Sequence, residues 1–244
     1  MSIRTGLRAI AVLFALSVTS ACVTRPPTIA HVHLGHALTG VHVTPNRDGY
    51  LLLADARAKE AYAAAQQAAA GKAVDEVKAA VAGVLAATSS EDNFGLKQSL
   101  VLAANHVSFA ATSDDASANI QKSAPVFAED IARVIERCEL IALLGKDVAS
   151  GKSPQEAAVA VEEIVKLTQA NLEGEDSDHD GKVGSTPAEY GIRQLRTEFD
   201  VIIAREDPPY RTVDQWYLFN LVRLPSGRWV FDKLNRGGSI DGYK

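Results

Sequence analysis

The sequence predicts a mainly α protein, a helical bundle of about five to six helices with one helix-loop-helix built around an acidic loop and a β-hairpin at the C-terminus. Three observations predict it. From Tyr50 to Asp207 apolar residues recur at three-to-four spacing in successive runs, each ended by glycine or a polar cluster. Between the last two runs, Asp176-Ser-Asp178-His-Asp180-Gly181 sets three carboxylates at alternate positions. After Pro208-Pro209 the residues become aromatic and branched in two stretches, Trp216–Leu224 and Trp229–Leu234. The turn residues Pro225-Ser226-Gly227-Arg228 separate them, which is the pattern of a hairpin.

Residues 1–21 read as a signal peptide. Arg4 and Arg8 form a positive start, Ala9 to Val18 an apolar stretch too short to span a bilayer, and Thr19-Ser20-Ala21 a small-residue cleavage site before Cys22. This arrangement resembles a bacterial lipoprotein signal. The resemblance implies that Cys22 becomes the acylated first residue, with the protein lipid-anchored in the envelope facing the periplasm, at the outer membrane. An ordinary secretory peptide cleaved near Ala21 is the plainer alternative, and both export the chain.

Residues 22–49 follow as a tether and a histidine-rich arm. Thr24-Arg25-Pro26-Pro27 is an extended spacer. Four of the six histidines, His31, His33, His36 and His42, then fall close together. If the segment is extended, His31 and His33 share a face and Gly35 lets His36 fold toward them. Neutral imidazoles suit zinc or copper, so the arm is expected to fold onto the bundle around a metal, with His42 or His106 completing the shell. A solvated arm is the bland reading of the same residues. Thr44 to Gly49 closes the segment with turn chemistry.

The bundle itself spans 50–207. An Ala-rich helix from Tyr50 to Ala70 stops at Gly71, and Val77, Val81 and Val84 form the stripe of a second. A third carries Leu96, Leu100, Ala103 and Val107, with His106 on its flank. A fourth region runs to Gly145 and is expected to restart or kink at Pro125. In it Cys138 sits in the apolar pattern Ile131, Val134, Ile135, Ile141, so it reads as a buried structural thiol. The fifth helix opens at the capping box Ser153-Pro154-Gln155-Glu156 and ends at Gly174. A sixth is expected from Pro187 to Arg205, with Ile192, Leu195, Phe199, Ile202 and Ile203 inward.

The loop between these last two helices resembles the first eight positions of an EF-hand. The resemblance implies calcium held by Asp176, Asp178, Asp180 and the seventh residue, Lys182, through its carbonyl. It also implies that Gly181 makes the turn and Val183 points to the core. The twelfth position, where an EF-hand has its bidentate Glu, is Pro187, and the nearest Glu is Glu189. Thr186-Pro187-Ala188-Glu189 is itself a capping box, displaced by the same two residues, so the loop over 176–189 reads as lengthened. Glu189 then serves the backbone cap or the ion.

A formal net charge of −5 without a basic stripe argues against nucleic acid. Cys22 and Cys138 are the only cysteines, and the first is taken by the signal, so packing must supply stability. The chain has no Gly-x-Ser-x-Gly, His-Glu-x-x-His or phosphate-loop motif, and no enzyme is expected. Leu34 to Gly40, followed by Thr44-Pro45 and an Ala-rich helix, resembles uncharacterised helical proteins of the Gram-negative envelope, which implies no activity. The expected function is metal binding at the envelope: calcium through the loop and a transition metal through the arm. The alternative is a non-catalytic scaffold or adaptor that meets an envelope protein partner through the aromatic hairpin of 208–244.

Overall fold

The computed structural model describes residues 28–90, 94–207 and 210, with the backbone of 217–218, 221–223 and 229–231. Among them are seven α-helices: α1 Ile29–Leu38, α2 Tyr50–Ala70, α3 Val74–Ser89, α4 Leu96–Thr112, α5 Ala118–Ser150, α6 Pro154–Glu173 and α7 Ile192–Ala204. None is long and apolar enough to cross a membrane.

Helix α2 runs through the middle. Its buried residues Leu51, Ala54, Ala58, Ala61, Ala65 and Ala68 alternate by three and four, and their small side chains let α3, α4 and α6 approach closely. The core has two parts. Around the first half of α2, residues Leu34, Leu100, Phe127, Ile131, Leu195 and Phe199 pack together from α1, α4, α5 and α7. Around its second half, Val77, Val81 and Val84 of α3 meet Ile141, Val148, Val161 and Ile164. The 33-residue α5 joins both, which is why the two parts make one bundle.

The sequence reading of the fold is corrected in four places. The helices number seven instead of five to six, because the histidine segment is itself a helix. Thr28 caps α1 through its side chain, and Asp115 accepts the free amides of Ile29 and Ala30 at 2.6 and 3.0 Å, so the new helix starts with its donors satisfied. Helix α5 continues through Pro125 without a restart. The proline is the eighth residue of the helix and exposed, while Ala124, Phe127 and Ile131 are buried and keep the helix packed. The last helix starts at Ile192, because Pro187–Glu189 is a separate 3₁₀ turn; the loop therefore lacks the direct exit helix of an EF-hand. The C-terminal hairpin, finally, is not an element of this helical fold. The described residues of that region hold fragments of two or three residues, Tyr217–Leu218, Leu221–Arg223 and Trp229–Phe231, paired antiparallel in that order. The rest of the expected hairpin, like the signal peptide and Cys22, lies outside the described residues.

Candidate metal centres

Two groups of side chains converge tightly enough to hold an ion: His33, His36 and His106, and Asp176, Asp178 and Glu189. In each group the ligating atoms lie within 4.8 Å of one another.

The acidic group is built by its loop. The carboxylate of Asp176 accepts the amides of Asp180 at 3.0 Å and Gly181 at 2.9 Å, and Asp178 accepts the amide of Asp180 at 3.0 Å. These bonds curl the chain around one point, and Gly181 takes the turn at φ 83°. Asp180 faces differently, since its Oδ1 accepts the Lys182 amide at 2.7 Å and it stays out of the converging group. Lys182 is exposed. Val183 does not enter the core: it is 46% exposed and lies over Gly174.

Glu189 closes the loop, and the expected capping box is not formed. Thr186 makes no side-chain cap. The Glu189 side chain turns into the loop, where Oε2 accepts the amides of Gly184 and Ser185 at 2.9 and 2.8 Å and the Ser185 hydroxyl at 3.0 Å. Oε1 is buried with no hydrogen-bond partner. Burial opposes its charge, but the Ser185 and Gly184 donors outweigh it and hold the carboxyl down at about 2, so it is ionised at neutral pH. Arg137 of α5 fixes its position, donating to the carbonyls of Tyr190 at 2.6 Å and Ala188 at 3.1 Å on either side. The two ends of the loop meet where the Glu175 amide donates to the Glu189 carbonyl at 3.0 Å and Gly191 lies against Gly174.

The histidine group corrects the expected ligand set, because a helix distributes side chains differently from a strand. His33 and His36 are three apart and share the face of α1 that packs on α4, where His106 stands. His33 Nδ1 is 3.1 Å and His36 Nδ1 3.4 Å from His106 Nδ1. Tyr50 stacks on His106 at 5.4 Å between centroids, and Phe109 packs against both His33 and His106. Burial, and then the neighbouring imidazoles His36 and His33, push the His106 pKa down to about 4; His36 is lowered chiefly by burial. His42 lies exposed on the turn after α1, outside the group.

His31 is on the opposite side of α1, buried. Its Nε2 is 3.2 Å from Glu206, its ring stands edge-on to Tyr210, and Glu206 also accepts from Ser117 at 2.7 Å. It is a structural tie between α1 and the end of α7, and nothing in the local sequence separates it from His33. Cys138 is fully buried, its thiol pushed up to about 12 by burial and 3.5 Å from Asn171 Nδ2, so it is inert.

Scanned against protein-family models, curated proteins and solved structures, the chain matches none of them.

Proposed function

We propose that this protein binds calcium at the bacterial envelope through the loop of residues 176–189, with Cys22 as its lipid anchor. The observation that carries the reading is Glu189. It lies beyond the usual EF-hand loop, yet its ionised carboxylate is buried beside Asp176 and Asp178 and keeps one oxygen unpartnered. A buried, unpaired anionic oxygen is costly, and a hard cation relieves that cost. Oxygens around one calcium at 2.3–2.6 Å are at most about 5 Å apart, and the three carboxylates already meet that limit. Asp180 and the Lys182 carbonyl would join once an ion drew the loop in.

Calcium then acts as a clasp between α6 and α7, since Asp176 follows one helix and Glu189 precedes the other. Thermal melting with increasing calcium tests this. Saturation at a hundredfold above Kd is expected to stabilise the wild type by about 2.7 kcal/mol. Glu189→Gln, which keeps the side-chain shape, and Asp176→Ala are each expected to abolish most of that gain. A wild type whose melting is unmoved by millimolar calcium refutes the reading.

A further inference from the structure

We propose that His33, His36 and His106 bind a divalent transition cation of the zinc, copper or nickel class through their Nδ1 atoms, at a site independent of the acidic loop. Three nitrogens on a tetrahedral ion at 2.0–2.1 Å stand about 3.3–3.4 Å apart. The two Nδ1 pairs that share His106 are at 3.1 and 3.4 Å, so the packing of α1 on α4 already sets two edges of that tetrahedron. The third edge lies between residues one helical turn apart on α1, and all three ligating nitrogens fall within 4.8 Å. Imidazole nitrogen selects this class of metal over calcium, which prefers oxygen.

The electrostatics favour a cation held by neutral ligands. A second or third protonated imidazole within this distance would meet like charge, whereas a metal ion draws the three nitrogens together. Tyr50 stacked on His106 fixes the orientation of that ring. The three imidazoles are half-buried and Phe109 beside them is 53% exposed, so an ion reaches the site from solvent and the fourth position is open to water. The metal would staple α1 to α4.

The full chain is titrated with zinc chloride in saturating calcium, which keeps the loop carboxylates occupied and separates failure here from failure of the calcium reading. One equivalent is expected to bind, and the nitrogen resonances that move are expected to be the Nδ1 of His33, His36 and His106, with those of His31, His42 and His179 unmoved. His106→Gln is expected to weaken binding by more than about 100-fold, beyond the loss of an outer hydrogen-bond partner. His42→Ala is expected to bind as the wild type does. The nitrogen spectrum of the wild type does not depend on any variant folding. If other histidines respond, or if the wild type binds zinc no more tightly than the His33→Ala/His36→Ala/His106→Ala variant, the proposal is overturned.

Discussion

The carboxyls of Glu198 on α7 and Asp130 on α5 lie close enough inside the bundle to perturb each other, and Glu198 Oε2 is buried. Burial first, then the neighbouring Asp130 carboxyl, raise the Glu198 carboxyl to about 8; Asp130 is raised too, chiefly by burial. The native state therefore holds a proton that the unfolded chain gives up near pH 4.3. Raised carboxyl pKa values make stability complete at low pH and drain it as pH climbs toward about 8. Glu198→Gln removes the titrating group and keeps a hydrogen-bond donor for Asp130. Its melting temperature relative to the wild type is expected to be higher at pH 8 than at pH 5. The same difference at both pH values would show that Glu198 does not hold this proton.

At the scale of elements, the loop is held by the close approach of its two ends. A Cβ on Gly191 would collide with the Gly174 amide nitrogen and come within 2.6 Å of the Ala170 carbonyl, both backbone atoms that cannot swing away. Gly191→Ala is expected to cost about 1–3 kcal/mol by overpacking, and to weaken calcium binding by moving Glu189 two residues upstream. Gly181→Ala is the contrasting case: nothing stands within 4 Å of its Cβ, so only the left-handed backbone at φ 83° resists it. That conformational cost is about 1–2 kcal/mol. Denaturant unfolding with and without calcium separates the two. Gly191→Ala should lose part of the calcium-dependent gain because it displaces Glu189, the proposed ligand, and an unchanged gain would show that the proposed clasp does not depend on the Gly174–Gly191 contact.

At the scale of the whole molecule, the proposed anchor at Cys22 makes a test of where the protein fractionates. Helix α1 starts at Ile29, so an acylated Cys22 would leave only residues 22–28 as tether, about 25 Å at full extension. Cys22→Ser is expected to move the protein from the membrane fraction to the soluble fraction with its calcium response intact. A wild type that fractionates as a soluble protein with an unmodified N-terminus would remove the anchor from the proposal.

The sequence by itself determined the helix from Tyr50 to Ala70, the one whose face is Leu96, Leu100, Ala103 and Val107, the one from Pro154 to Glu173, and the acidic turn at Asp176–Gly181. Their signals are local, written as apolar spacing, a capping serine or glycine, and alternating carboxylates within a few residues. Helix α1 was not legible in the same way. In Ile29–Leu38 histidine and apolar residues are interleaved so evenly that a period of two fits as well as a period of 3.6. Its packing on α4, together with the Thr28 and Asp115 caps on its first amides, chose the helix. That choice sent His31 to Glu206, 175 residues away, and brought His33 and His36 to His106, about 70 away. Glu189 follows the same logic: a capping box and a loop ligand have one sequence, and Arg137, fixing the carbonyls on both sides, turned its carboxylate inward. Side chains that converge from different helices are placed by the packing of those helices, and no short stretch of chain carries that information.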